Sequence, residues 1–124
     1  MTENLIAPPS VVAAYLTAHT AREVEGVLST LAPDAVVVDD GHTYRGADEI
    51  AGWLQRSSSE YSYSSTLTGV DRADDSHWVV SQRLEGDFPG GVVDLRFQFT
   101  LRGGLIAELT IAPWPRPPFA SLTW

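Results

Sequence analysis

The sequence contains no cysteine and no lysine, and it has no hydrophobic run long enough to span a bilayer. Without cysteine, disulfides, thiolate nucleophiles and thiolate metal ligands are excluded, so the fold must depend on packing. A membrane-spanning helix needs roughly 20 consecutive apolar residues. The first four residues, Met-Thr-Glu-Asn, lack the basic start of a secretory signal. We therefore expect a cytoplasmic protein that does not enter a membrane.

Positive charge is also scarce, because 8 arginines face 16 acidic residues and the formal net charge is -8. Proteins that bind nucleic acids need a clustered basic surface, which this composition does not offer. Anionic membrane surfaces are disfavoured for the same reason. The acidity itself is typical of a soluble protein surface.

The remaining composition is that of a globular protein, with 44% hydrophobic and 19% charged residues among 124. This length suits one hydrophobic core and is too short for two. We therefore expect a single domain over 1–124, with an arm at 1–9 and a proline-rich tail at 113–124. Proline has no backbone donor, so the tail cannot join a sheet interior.

Hydrophobic periodicity predicts three helices. Ser10 is a plausible N-cap for the first, of about ten residues, whose apolar stripe consists of Val11, Val12, Tyr15, Leu16 and His19. Pro33 is expected to end the second helix, whose apolar face consists of Val24, Val27, Leu28 and Leu31. The third carries Ile50, Trp53 and Leu54 on one side and is expected to end at the serines 57–59.

Strand patterns account for the rest of the chain. A β-branched strand over 34–39 is followed by a turn at Gly41 and a short second strand. Four further strands are expected over 61–70, 77–85, 92–102 and 105–112, with an acidic turn at 71–76 and a hairpin at Gly103-Gly104. Helices followed by antiparallel strands indicate an α+β fold. We expect three helices on a curved, cone-shaped, mostly antiparallel sheet of about five strands, with room inside for a small molecule.

Polar residues crowd the end of the first strand, where Asp39, Asp40, His42 and Tyr44 follow an apolar run. Asp39 shares one strand face with Ala35 and Val37. If that face is apolar, burial would raise the pKa of the carboxyl group and make it a useful base. The alternative is that Asp39 and Asp40 only cap the turn at Gly41.

Other residue types in the pattern allow a similar choice between a functional and a structural role. The hydroxyl of Tyr15 needs a partner if the ring is buried, and it could either stabilise an oxyanion or bond to a core neighbour. His19 is a pocket residue or a satisfied structural donor. His42 and Tyr44 line the mouth of the pocket or are exposed. Two roles are open to the aromatic residues, which either form pocket walls or pack in the core. They are Trp53, Phe97, Phe99 and Trp114.

The sequence gives no indication of a metal or a cofactor. The three histidines, at positions 19, 42 and 77, lack the spacing of a metal-binding motif. No glycine-rich phosphate loop precedes a helix, and no serine stands in a Gly-x-Ser-x-Gly motif.

The order helix, helix, strand ending in Asp, glycine turn, helix and four-strand meander resembles the nuclear transport factor 2-like superfamily over residues 9–114. That superfamily includes the SnoaL-like polyketide cyclases and the ketosteroid isomerases. The resemblance implies a cone-shaped fold, a homodimer and a pocket for a small hydrophobic or carbonyl-containing molecule. It does not imply one chemistry, because the superfamily hosts many.

Individual residues also resemble the ketosteroid isomerases. The segment Val11–Tyr15 looks like the isomerase segment whose tyrosine donates a hydrogen bond to substrate, and Asp39 falls at the place of the proton-shuttling aspartate. The resemblance thus implies Tyr15 and Asp39 as catalytic residues. Two positions depart from the pattern, since Phe97 stands where the isomerases have a protonated aspartic acid and Asp40 where they have a proline.

Three functions remain open from the sequence. The first is an enzyme without a cofactor, in which Asp39 moves a proton next to a carbonyl group and Tyr15 steadies the enolate. The second is a module that binds a hydrophobic metabolite without turnover. The third is a structural dimer whose interior is filled by Phe97, Phe99 and the tryptophans.

Overall fold

The computed structural model describes residues 7–60, 63–88 and 90–113, and for 57–60 it describes the backbone only. Trp114 and the predicted tail beyond Pro113 therefore lie outside the described residues, as does most of the predicted arm. The described residues form three helices, α1 (Ser10–Thr20), α2 (Val24–Leu28) and α3 (Gly46–Glu60). The strands in the same residues are β1 (Leu31–Asp39), β2 (His42–Arg45), β3 (Tyr63–Asp74), β4 (His77–Gly86), β5 (Val92–Arg102) and β6 (Leu105–Pro113).

All six strands form one curved sheet with the order β2-β1-β6-β5-β4-β3. Neighbours are antiparallel except for β1 and β6, which pair in parallel. The predicted α+β class is confirmed, and the sheet is mostly antiparallel, as predicted, with one parallel pair. In the described residues it has six strands rather than about five. The parallel pair arises because the last strand of the meander returns beside the first strand of the chain.

Two tight hairpins hold the sheet in register. Asp39 pairs with His42 across Asp40 and Gly41, whose φ angles of 54° and 80° fit a two-residue turn that needs positive φ at both positions. The predicted hairpin at Gly103-Gly104 is confirmed, with φ angles of 61° and 81°. The first of these turns leaves Asp39 as the last residue of β1.

Several predicted boundaries were wrong. Pro9 is the N-cap of α1, and Ser10 lies inside the helix. Helix α2 ends at Leu28, and Pro33 belongs to β1, at an irregularity where pairing with β6 shifts and no ladder donor is needed. Helix α3 runs through the serines to Glu60, and β3 continues through the acidic segment to Asp74 because β4 pairs with it there.

The helices pack on one face of the sheet and bury its apolar side chains. The largest fully buried residues are Tyr15, Phe99, Ile50, Ile106 and Leu109. In β5, Phe97 and Phe99 face this core, so the predicted alternation of that strand is confirmed. No helix in the described parts of the chain is long and apolar enough to cross a membrane.

Candidate functional site

A cavity of about 400 Å³ lies between helices α1 and α3 and the inner face of the sheet. Its size falls within the range of pockets that hold small ligands. Most of the surface that it exposes is apolar, although six of its thirteen lining residues carry polar side chains. The lining residues are His19, Thr20, Asp39, Trp53, Tyr63, Ser65, Gln82, Leu84, Phe88, Val93, Leu95, Phe97 and Ile111.

Asp39 enters this cavity from the end of β1. Ala35 and Val37 precede it on the same strand face, and both are buried in the core. The indole Nε1–H of Trp53 donates a hydrogen bond to Oδ2 of Asp39 at 2.8 Å. The other carboxyl oxygen, Oδ1, has no hydrogen-bond partner among the described residues. The carboxyl group is therefore held by one oxygen and leaves the second free to accept a proton.

Burial raises the pKa of Asp39 above its ordinary value. The hydrogen bond from Trp53 opposes this shift, the negative charge of Asp40 adds to it, and His42 opposes it more weakly. The net direction is upward because the apolar cavity wall disfavours the charged form. A carboxylate with a raised pKa is a stronger base, which suits proton abstraction near neutral pH.

Tyr15 and His19 form a hydrogen-bonded pair one helical turn apart in α1. Tyr15 is fully buried, and its hydroxyl oxygen lies 3.0 Å from Nδ1 of His19. Burial raises the pKa of Tyr15 well above its ordinary value, and it lowers the pKa of His19 to about 4. Both side chains are therefore neutral at physiological pH.

The pairing also assigns the tautomer of His19. Within the described structure, the Tyr15 hydroxyl has Nδ1 of His19 as its only hydrogen-bond partner. A buried hydroxyl that finds no acceptor costs about 1–3 kcal/mol, so the Tyr15 O–H donates to Nδ1. The neutral imidazole then carries its proton on Nε2. Because His19 lines the cavity, this N–H is a donor available to a ligand.

Tyr63 belongs to β3, the strand at the opposite edge of the sheet from β2 and β1, yet it lines the same cavity as Asp39. Burial raises the pKa of Tyr63, the Arg22 guanidinium 5.5 Å from its ring centre lowers it, and the charge of Asp39 raises it. Asp39 and Tyr63 thus influence one another across the cavity. The curvature of the sheet is what brings its distant strands together.

The structure divides the nine predicted site residues into three groups. Those that line the cavity are Asp39, His19, Trp53 and Phe97. Those that do not line it are Tyr15, Phe99, His42 and Tyr44. Trp114 is outside the described residues.

Ring packing or solvent exposure explains why four of the predicted residues do not line the cavity. Tyr15 and Phe99 pack edge to face behind the wall, with ring centres 5.4 Å apart. His42 is exposed at the start of β2. Tyr44 stacks on Trp53, with ring centres 5.9 Å apart, so it supports the cavity wall from outside.

Polar residues of the far wall, Thr20, Tyr63, Ser65 and Gln82, did not emerge from the sequence as candidates. The alternation in β3 is weak, so the inner face of that strand could not be chosen from the sequence. A signal did exist for Gln82, because alternation in β4 places it in one row with Trp78 and Val80, which are buried. A polar residue in an apolar row is a candidate for a site.

Within the described residues, no group of three or more His, Asp or Glu side chains is arranged to hold a metal ion. The chemical groups that the cavity wall presents are a carboxylate with a raised pKa, a neutral imidazole, a phenol, an amide and hydroxyls. Such a set can move protons and donate hydrogen bonds.

Solved structures with the same fold include two proteins of bacterial origin. A candidate polyketide cyclase from Sinorhizobium meliloti is 31% identical, with a TM-score of 0.79 over 85% of this chain and 95% of that chain. A hypothetical protein with a ketosteroid isomerase-like fold from Catenulispora acidiphila, in complex with trimethylamine, is 24% identical, with a TM-score of 0.75 over 86% of each chain.

A third structure, TerC co-crystallised with polyporic acid, is 18% identical, with a TM-score of 0.74 over 91% of this chain and 93% of that chain. The likeness to the last two proteins shows the fold alone. No protein with a curated description matches the sequence. The model of the SnoaL-like domain matches residues 12–109, which is most of the chain, and the protein therefore belongs to the SnoaL-like domain family.

Proposed function

We propose that the cavity catalyses proton transfer next to a carbonyl group of a small, largely apolar molecule, with Asp39 as the base. One observation carries the proposal. Asp39, whose carboxyl group has a raised pKa and an unpaired Oδ1, and His19, a neutral imidazole with its proton assigned to Nε2, line one largely apolar cavity. The first group accepts a proton and the second donates a hydrogen bond, which is the pair of roles that enolisation needs.

The reaction step balances without a cofactor. Asp39 removes a proton from the carbon next to the carbonyl group. The C–H electron pair forms the carbon–carbon double bond of the enolate, and the π electrons of the carbonyl group move to its oxygen. The enolate oxygen receives a hydrogen bond from Nε2–H of His19. In an isomerisation, the carboxylic acid on Asp39 returns the proton to another carbon. In a cyclisation, the enolate carbon bonds to a second carbonyl carbon and the proton goes to that carbonyl oxygen. In a dehydration, the proton goes to a β-hydroxyl group, which leaves as water.

Tyr15 enters this proposal as a positioning residue. The ketosteroid isomerase resemblance implies direct contact between this tyrosine and the substrate, whereas the ring lies behind His19 and away from the cavity. Its hydroxyl holds the imidazole in the tautomer that presents Nε2–H. His19 also supplies a donor in a site where Phe97 replaces the isomerase acid.

The relatives support a small-molecule ligand. The solved structures with this fold include a candidate polyketide cyclase, a protein in complex with trimethylamine and a protein crystallised with polyporic acid. The two bound molecules differ widely, so these structures favour a small-molecule pocket but do not identify the ligand of this protein. The largely apolar surface of the cavity favours a hydrophobic carbonyl compound here.

The test is deuterium incorporation from heavy water into a panel of enolisable cyclic ketones and diketones. Asp39→Asn keeps the shape of the side chain and removes the base, and we expect exchange to fall at least about 100-fold. Asp40→Asn is the matched control, because Asp40 is the adjacent acid and is exposed in the turn. We expect that variant to retain most of the exchange.

The opposite outcome also has a clear meaning. If the wild-type protein promotes no exchange across the panel, or if Asp39→Asn exchanges as fast as wild type, the proposed chemistry is refuted. Binding of the same ketones without exchange would favour the second hypothesis from the sequence, a module that binds a hydrophobic metabolite. Phe97 lines the cavity, and the resemblance assigns it to the position of the isomerase acid, which supports this alternative.

We further propose that the protein is a homodimer, as the superfamily resemblance implies. The outward face of β5, which carries Arg96, Gln98, Thr100 and Arg102, is the candidate seam. Analytical ultracentrifugation of the wild-type chain tests this proposal, and a monomer at micromolar concentration would contradict it.

A further inference from the structure

Three polar side chains, Thr20, Ser65 and Gln82, stand at the boundary between the cavity and an open groove of about 580 Å³ between α1 and β3. All three line both spaces. The hydroxyl oxygens of Thr20 and Ser65 lie 3.4 Å apart, at the limit of a hydrogen bond. We call these three residues the far polar cluster, because Ser65 on β3 and Gln82 on β4 lie at the other end of the sheet order from β1, and Thr20 at the end of α1 contacts Ser65.

Gln82 is the informative member of this cluster. Its side chain is only 8% exposed, and its amide has no hydrogen-bond partner among the described residues. In the described part of the chain, every fully enclosed side-chain nitrogen or oxygen has a partner. The amide atoms of Gln82 must therefore reach the open space of the cavity or of the groove. A buried amide without a partner is unfavourable, so this position suits a ligand that supplies one.

The position and chemistry of the cluster define what it can bind. Gln82 lies on β4, three strands from Asp39 on β1, which is about 14 Å along the curved sheet. The cluster offers an amide and two hydroxyls, and no arginine is among the described residues that line the cavity. Neutral donors and acceptors suit a hydroxyl or carbonyl group better than a carboxylate or phosphate.

We propose that the far polar cluster is a second binding subsite, which takes a neutral hydroxyl or carbonyl substituent at the end of the ligand remote from the reacting carbonyl group. The natural ligand would then carry oxygen at both ends of an apolar skeleton. The assignment of the two ends rests on the proposed function, whereas binding at Gln82 does not require catalysis.

Matched ligands test the subsite. The probes are two-ring and three-ring cyclic ketones, each with and without a hydroxyl opposite the carbonyl group, such as 2-tetralone and 6-hydroxy-2-tetralone. Calorimetry measures their dissociation constants with wild type and Gln82→Met, which keeps the side-chain length and removes the amide. Gln55→Met is the matched control, because it makes the same change at an exposed position of α3 that does not line the cavity.

We expect the hydroxyl to tighten binding to wild type about three- to tenfold in at least one ring size. This gain should vanish in Gln82→Met and persist in Gln55→Met. If Gln82→Met does not fold, Ser65→Ala provides the second variant and should reduce the gain. The proposal is overturned if no probe binds, if the hydroxyl brings no gain to wild type, or if the gain survives in both cluster variants.

The subsite and the proposed function can fail separately. Deuterium exchange that needs Asp39 but ignores the remote hydroxyl would refute the subsite and leave the proton-transfer function intact. Hydroxyl-dependent binding through Gln82 with no exchange would establish the subsite and refute the proposed function.

Discussion

Two aspartates on opposite faces of one sheet have pKa values that move in opposite directions. Asp94 on the outer face accepts hydrogen bonds from Nε and NH2 of Arg83 at 2.9 and 3.1 Å, and this bidentate pairing lowers the pKa of its carboxyl group. Asp39 on the inner face has an apolar cavity around it, and burial raises its pKa. Both residues are aspartates on the same sheet, so the difference between their pKa values comes from solvent exposure and from the hydrogen-bond partner of each carboxyl group.

The difference separates a structural role from a chemical one. An exposed ion pair such as Arg83–Asp94 contributes little to stability. The lowered pKa of the Asp94 carboxyl group keeps it charged and weakly basic. The partly buried carboxylate of Asp39 destabilises the fold when it is charged, and the same desolvation makes it a better base. The following changes would break or sharpen this contrast.

The largest expected effect comes from Asp39→Asn. Besides the loss of exchange by at least about 100-fold, we expect a higher melting temperature at pH 7. The neutral amide avoids burying a charge, and its oxygen can still accept the hydrogen bond from Trp53. Calorimetric unfolding measures the change, and a clearly lower melting temperature would show that the charged carboxylate stabilises the fold instead.

The next effect is on the pH dependence of stability, through His19. The unfolded chain binds a proton at this residue below about pH 6.5, whereas the folded protein does so only below about pH 4. Stability must therefore fall as the pH falls through this window, by at most about 3 kcal/mol. Asp39 contributes in the opposite direction, because its raised pKa favours the folded state as the pH falls.

The contribution of His19 can be isolated by comparing wild type with His19→Gln in urea denaturation at several pH values. The wild type should lose more stability than the variant between pH 6.5 and pH 4. Equal losses would show that the imidazole is not held neutral by the fold.

A smaller effect is expected from Tyr15→Phe, which removes the hydroxyl and leaves the ring in the core. Exchange should fall about tenfold because the tautomer of His19 is no longer fixed, within the range that a positioned acid or base contributes. Nitrogen NMR of His19 should change from the Nε2–H form to a mixture. Tyr44→Phe is the control, since Tyr44 does not line the cavity. Unchanged nitrogen shifts in Tyr15→Phe would contradict the assignment of the tautomer.

The smallest effect is expected on the outer face. Asp94→Asn breaks an exposed ion pair, and it should lower the melting temperature by at most a few degrees. The difference from wild type should shrink further at high salt, because salt screens exposed charges. A large, salt-independent loss would mean that the outer face is more than a solvated surface.

Local patterns in the sequence predicted much of the fold. The stripe of α1, the alternation of β5 and the turn after Asp39 are set by neighbours a few residues apart, so spacing alone could reveal them. The sequence could also nominate Asp39, because an acid after an apolar strand is a visible conflict. The limits of β1 and β3 depended on pairing with β6 and β4, which lie far away in the chain.

The residues of the far wall of the cavity could not be predicted from local patterns, because their positions also depend on contacts between distant parts of the chain. Tyr63 lines the same cavity as Asp39 because the sheet curves across its whole width. The sequence also could not show whether Tyr15 or His19 lies against the cavity. Both lie on one helix face, and only the position of α1 against the sheet decides which of them reaches the ligand.

The most direct test is carbon NMR titration of the side-chain carboxyl groups in the aspartate-labelled protein. Asp39 and Asp94 would be assigned through Asp39→Asn and Asp94→Asn. We predict that Asp39 titrates above the ordinary value for an aspartate and Asp94 below it. Titration of Asp39 at or below the ordinary value would show that its carboxyl group is not desolvated, and it would contradict the assignment of this residue as the base.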